Sequence, residues 1–253
     1  MNSGMQKKIA GFSLLIFFAA SIYFYLNQSV IETHHLEYAL HSGQDAFGRN
    51  CIKITLSSAL ESFFVILPVA GFCLLLTLMT SSLLMIKNTR LQFVLRTFLD
   101  TLTSLPGFLI ALSLSALFSH ASWAFFLAAV LLVYPGQTRF FESQILKLQT
   151  EDFILASSAL GGTSLHQFKK HYLPELSRLL ISILPFIFMR LLVIETSLTF
   201  LGLGSAPVHE TWGRLLAQGK DYFLEAPWIL CIASVPLFLT LFSFHLLSRT
   251  DQN

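Results

Sequence analysis

The chain has 253 residues, of which 54% are hydrophobic and only 12% charged, against about 25% charged in a soluble domain. With a mean hydropathy of +0.67, this composition excludes a disordered chain, a coiled coil and a nucleic-acid-binding module, and it argues against an ordinary soluble globular domain. Sixteen Lys and Arg against 14 Asp and Glu leave a net charge of +2, so net charge points to no partner. Cys51, Cys73 and Cys231 lie far apart with no CxxC, which supports neither a disulfide framework nor a zinc module.

A membrane span needs about 20 predominantly apolar residues. Residues 9–26 form a charge-free run preceded by Lys7 and Lys8. The alternative for this run is a signal peptide, with Ala19 and Ser21 at a cleavage site, but the apolar stretch continues through residues 22–26, which favours a span. Residues 63–86 are a second charge-free run, with Glu61 before it as an end-of-span group and Pro68 inside it. Residues 98–118 are a third, carrying Asp100 and bent by Pro106. Residues 122–141 are a fourth, with Pro135-Gly136 near its end; residues 176–201, with Pro185, Arg190 and Glu195, are a fifth; residues 227–247, with Pro236, are the sixth. Prolines are tolerated in spans, where neighbouring helices and side chains satisfy the freed backbone groups.

Orientation follows from Lys and Arg in the connecting segments. With the N-terminus in the cytoplasm, 11 fall inside and 4 outside, Arg190 lying within a span. The expectation is an all-α membrane protein: a six-helix polytopic bundle with both termini cytoplasmic. Residues 1–53 hold the first helix and an extracytoplasmic segment, and residues 54–248 hold the main transmembrane domain. Residues 142–175 form its largest cytoplasmic loop.

That loop is too polar to span yet strongly patterned. Thr150 reads as a helix N-cap, and Glu151 and Asp152 place negative charge at the helix's positive end. Phe153, Ala156, Ala159 and Leu160 recur at helical spacing. Gly161-Gly162 ends the helix. Ser164 to Gln167 reads as a capping box opening a second short helix, with Lys169, Lys170 and His171 near its C-terminus and Pro174 beyond. The product is a helix–turn–helix hairpin of about ten residues per arm. Small residues on one face (Ala156, Ser157, Gly161) allow close approach of another protein. The competing reading is a packed loop that shields the bundle, and the residues alone leave both open.

Here the sequence resembles a known family. Leu155-Ala156-Ser157, three residues, Gly161, nine residues, then His171-x-Leu173-Pro174 is similar to the EAA loop of ATP-binding-cassette transporter permeases. The spacing is the family's; Leu155, Ser157 and His171 replace its Glu, Ala and Ile. The dipeptide/oligopeptide/nickel branch is resembled elsewhere, by the run from Ser197 to Gly204 (SLTFLGLG), by Thr211-Trp212-Gly213, by residues 215–222 (LLAQGKDY), by Ala226-Pro227-Trp228 and by residues 43–50 (GQDAFGRN). Asn50 stands where that last motif has Asp, and the branch's C-terminal G-D-x-L-R is absent.

The chain carries no G-x-x-x-x-G-K-[ST] loop, so it shows no site for ATP phosphates. The resemblance implies a permease subunit with no catalytic residue, resident metal or cofactor of its own, working with a second homologous permease, two ATP-binding ATPase subunits and an extracytoplasmic substrate-binding protein. The arm at residues 150–161 would be the coupling helix lying in an ATPase groove. Its contacts would come from Glu151, Asp152, Leu155, Ala156, Ser157 and Gly161, with Leu173 and Pro174 closing the loop. The importer would sit among the lipids of a bacterial inner membrane and carry peptide- or nickel-class cargo.

Other residues invite function. Arg190 and Glu195 are intramembrane ionisable groups, and such groups usually face a cavity or a partner. Five residues apart, they lie about 140° from one another around a helix, so they do not form a simple same-face pair. Their expected role is pore lining or contact with the partner permease; the alternatives are a structural bridge to another span or, for Glu195, a place near the outer surface. Trp212 and Tyr222 read as an aromatic belt at the membrane interface, within a segment (residues 202–226) that is a docking candidate for the binding protein. Residues 43–50 read as a structural turn. His34, His35 and His41 with Glu32 and Glu37 match no metal spacing and read as a solvated loop. Ser205 and His245 raise an intramembrane serine hydrolase, but no G-x-S-x-G elbow surrounds Ser205. The alternative to a permease subunit is therefore a standalone secondary carrier or an intramembrane hydrolase.

Overall fold

The computed structural model describes residues 3–26, 43–45, 49–86, 88–104, 106–118, 122–159, 170, 172–204 and 210–248. Among these the long elements are all helices: α1 (Ser3–Leu26), α2 (Cys51–Leu84), α3 (Thr89–Ser104), α4 (Gly107–Leu117), α5 (Ser122–Gln149), α6 (Asp152–Ala159), α7 (Leu173–Phe200), α8 (Trp212–Asp221) and α9 (Pro227–Ser248). Five of them (α1, α2, α5, α7 and α9) are long and apolar enough to cross a membrane.

The third expected span is not one helix. Its run is split into α3 and α4, which turn through 78° relative to one another. The break falls where Pro106 removes a backbone donor. Ser104 Oγ donates to Thr101 O at 2.8 Å, in the last turn of α3, where carbonyls lack helical partners, and Thr103 Oγ1 bonds back to Leu99 O at 3.0 Å. On the far side Leu109 N donates to Pro106 O at 2.8 Å, starting α4. The sequence places the bend correctly but the start too late. α3 begins at Thr89, with Asn88 Oδ1 accepting from the amides of Arg90 and Leu91 at 3.1 and 3.2 Å.

α2 is 34 residues long, about 51 Å at 1.5 Å per residue, so it overshoots a hydrocarbon core of about 30 Å. Asn50 caps it, its side chain accepting from Ile52 N and Lys53 N at 3.1 and 3.2 Å. Its two sides reverse the soluble pattern. Ser57, Ser58, Ser62, Thr77, Thr80 and Ser81 are buried, whereas Phe64, Leu67, Phe72, Leu75 and Met79 are exposed. Lipid tails are as apolar as Leu, so small and hydroxyl residues mark the face where helices approach closely.

The main core lies where α2, α5 and α7 meet, built on Ile66, Val69, Ala70 and Cys73, on Ala128, Ala129 and Val133, and on Ile187, Leu191 and Leu192. α1 and α9 pack against α2 and each other: the Ser13 and Ser243 hydroxyls lie 3.2 Å apart and the Phe18 and Phe63 rings 4.6 Å apart. The cysteines are free; Cys51 and Cys73 are buried and Cys231 is exposed.

Candidate functional site

At one end of the bundle α8 lies across α7 and α9. α7 stops at a Schellman turn: Gly202 has φ +78°, its amide donates to Thr199 O at 2.9 Å and Leu203 N to Leu198 O at 2.8 Å. The chain then returns so closely that a Cβ at Gly204 would run into Thr199. Gly213 of α8 rests on the same threonine, where a Cβ would lie 2.7 Å from Thr199 Cβ and 3.0 Å from Thr196 Cα. Gly219 meets α9 the same way, 2.8 Å from Leu230 N. These glycines are the backbone-contact points of the SLTFLGLG, TWG and GKDY motifs.

Trp212 is 0% exposed. Its amide donates to Ser62 Oγ at 3.1 Å, its indole N–H donates to Thr55 O at 2.8 Å, and its ring lies 5.8 Å from that of Phe17. It is not in an interfacial belt, as its aromatic character suggested; it is the pin joining α8 to α2 and α1. Glu195, also 0% exposed, sits beneath this joint. Its carboxyl accepts from Thr199 Oγ1 at 3.0 Å and Thr196 Oγ1 at 3.5 Å. Nearby, the segment before α2 closes on itself as the expected turn. Gln44 and Asn50 form an antiparallel bridge, and Asp45 holds Arg49 at 2.7 Å. Arg49 reaches Glu210 at 3.3 Å, and the Trp228 indole donates to Gln44 O at 2.9 Å.

The opposite end carries α6. Thr150 does not cap it: the Thr150 hydroxyl turns back to Lys147 O at 2.7 Å and closes α5 instead. α6 spans eight residues, with exposed Asp152 in its first turn and exposed Glu151 just before it. Ile154, 3% exposed, plugs it into a pocket of Phe141, Ile145, Tyr172 and Leu176, while Phe153 is 49% exposed. Burial raises the Tyr172 phenol above its ordinary value. Sequence periodicity missed Ile154 and chose Phe153, because about two helical turns of mixed apolar residues do not reveal their inner side. Leu155, Ala156 and Ser157 lie on α6, with Ser157 half-buried, and exposed Leu173 and Pro174 open α7 beside Tyr172. Thus Glu151, Asp152, the α6 residues and Leu173-Pro174 come together at one end. Gly161, Gly162, residues 164–167, Lys169 and His171 lie outside the described residues, and with them the second arm of the hairpin. So do Glu32, His34, His35, Glu37, His41 and Ser205.

Arg190 and Glu195 face different surroundings. Arg190, half-buried on α7, donates to Leu132 O on α5 at 3.4 Å and lies 6.0 Å from the Phe186 ring centroid. Below it on α5, Arg139 pairs with Glu142 at 2.7 Å and with Asp100 of α3, and Arg96 joins Glu142 at 2.7 Å. These four charges neutralise one another.

The comparisons agree with the sequence motifs. The profile of the family described as "Binding-protein-dependent transport system inner membrane component" matches residues 74–249, more than half of the chain. A putative peptide transport system permease protein of Brucella suis is 27% identical over 208 residues, covering 81% of this chain and 69% of that protein. The oligopeptide transport system permease protein OppC of Haemophilus influenzae is 27% identical over 205 residues, 80% of this chain and 65% of its own. The glutathione transport system permease protein GsiD of Escherichia coli is 28% identical over 151 residues, 58% of this chain and 49% of its own. The chain belongs to the family of inner-membrane components of binding-protein-dependent transport systems.

Proposed function

We propose that this inner-membrane component is one of two permease subunits of an ATP-binding-cassette importer for peptide-class cargo, driven through α6 by two ATPase subunits. The relatives' names support a peptide class rather than the nickel class that the motifs alone also allowed. The observation that carries the reading is the pair of unlike ends: a short helix whose Ile154 is seated between α5 and α7 at one end, and a tightly closed joint under α8 at the other.

In this reading α6 is the cytoplasmic coupling helix. Exposed Glu151, Asp152 and Phe153, with Ser157 and the neighbouring Leu155, Ala156 and Gly161, meet the ATPase, and Leu173-Pro174 passes the motion to α7. Ile154 plugs α6 onto α5 and α7, so displacement of α6 tilts both. Gly213 seats α8 on Thr196 and Thr199 of α7 at the other end, which lies outside and receives the binding protein. Residues 54–248 act as the permease domain and residues 1–53 as a peripheral helix and outer segment, with both termini cytoplasmic.

Gentle detergent purification of the tagged chain tests this. A second, similar permease and two ATPase copies in the complex, with ATP-driven peptide uptake after reconstitution, is the expected result. A lone chain that transports without an ATPase, or hydrolyses a bond within the membrane, would overturn it in favour of the carrier or hydrolase.

A further inference from the structure

Arg190 is an intramembrane charge that the described structure leaves without a carboxylate. The neighbouring cations Arg96 and Arg139 are matched by Glu142 and Asp100. Among the described residues Arg190 meets only a carbonyl at 3.4 Å and the edge of an aromatic contact at 6.0 Å. It stands well inside its span, ten residues before α7 ends at Phe200, which is about 15 Å of helix. A guanidinium at such depth is not left facing lipid; it faces water, a partner or a ligand.

The surface around it is mixed. Exposed Phe93, Phe98, Leu127, Phe140 and Ile181 on α3, α5 and α7 are as lipid-like as Phe12, Phe64 and Phe238 on α1, α2 and α9. On the α3–α5–α7 side, exposed Thr97, Asp100 and Thr101 lead to Arg139, then one turn along α5 to exposed Gly136, and there to Arg190. The guanidinium lies alongside Gly136, where a Cβ would meet Nη1 at an ordinary van der Waals distance of 3.5 Å. Phe186 and Val193 border it on α7 and are themselves exposed. A polar strip ending in an unmatched fork of N–H donors fits a planar carboxylate.

We propose that Arg190 is the point in the translocation path that receives a carboxylate of the passing cargo, the C-terminal carboxylate of a peptide. This inference rests on the permease reading above and names the chemical group that the path recognises. Weak contacts in the resting subunit suit this role, because a guanidinium already locked to an acid would not exchange partners with the cargo.

The experiment begins with the whole wild-type complex, established by its ATP hydrolysis and by co-purification of the second permease. Without those two signs the transporter reading itself fails, and this inference falls with it. With them in place, Arg190 is modified by phenylglyoxal in the complex free of binding protein, and the rate is followed by peptide mass spectrometry. Trialanine and trialanine amide are the competitors. The expected result is modification of Arg190 that trialanine slows at least fivefold and the amide does not. In parallel, Arg190→Gln still co-purifies with the second permease. No modification of Arg190, equal protection by both competitors, or loss of the second permease from Arg190→Gln would each overturn the proposal while leaving the transporter reading intact. The last result would mean that Arg190 meets an acid of the partner permease.

Discussion

The two ends of the bundle are held by different physics. At the α8 end, backbone lies against backbone: Gly213 and Gly219 have no room for a Cβ, and Trp212, 0% exposed, has both of its N–H groups bonded. At the α6 end, the side chain of Ile154 is buried among Phe141, Ile145, Tyr172 and Leu176, with Phe153 49% exposed beside it. A helix of eight residues is not stable by itself, so α6 exists through its docking. The difference separates a joint from a handle. The joint is expected to open together with the bundle, and the handle to detach and re-engage as a local event.

Mutations that break this contrast are ordered by their cost in stability. Trp212→Ala carries the largest, about 3–5 kcal/mol from the cavity and lost contacts, read as a lowered unfolding temperature in detergent. Gly213→Val follows, at about 1–3 kcal/mol from forcing a side chain against Thr199 and Thr196; retained wild-type stability would mean that α8 does not rest on α7. Thr199→Val removes the 3.0 Å donor from the buried Glu195 carboxyl and costs about 1 kcal/mol, with Thr199→Ser restoring most of it. Ile154→Ser costs least in global unfolding, under about 1 kcal/mol, because α6 opens locally. It nevertheless abolishes ATP-driven uptake and speeds hydrogen exchange in α6 alone. Should Ile154→Ser unfold the chain as readily as Trp212→Ala, the two ends would be equivalent and the handle would be no handle.

The spans, the bend at Pro106 and the family motifs were legible in the sequence because they depend on run length, proline chemistry and fixed spacing. The inner faces were not. In a soluble helix apolar periodicity marks the core; the apolar side of α2 faces outward, and its buried side is told by Ser57, Ser58, Ser62, Thr77 and Ser81. Trp212 misled for a related reason, since an aromatic near a span end reads as an interfacial anchor until a partner such as Thr55 O is seen. Thr150 had the composition of an N-cap, but a threonine hydroxyl also satisfies the carbonyl three residues back, and here Lys147 O won it. The glycines of the TWG and GKDY motifs were visible as residues, but not as contacts, because their reason lies in α7 and α9 rather than in α8.

The central claim is that α6 is where the energy source touches this subunit. Photo-crosslinking residues placed at Ser157 on α6 and at exposed Lys220 on α8 test it directly in the intact complex. An adduct from Ser157 to the ATPase subunit is expected, changing in yield between nucleotide-free and ATP-bound states, with an adduct from Lys220 to the binding protein. An ATPase adduct from Lys220, or none from Ser157 in a complex that hydrolyses ATP, would contradict it.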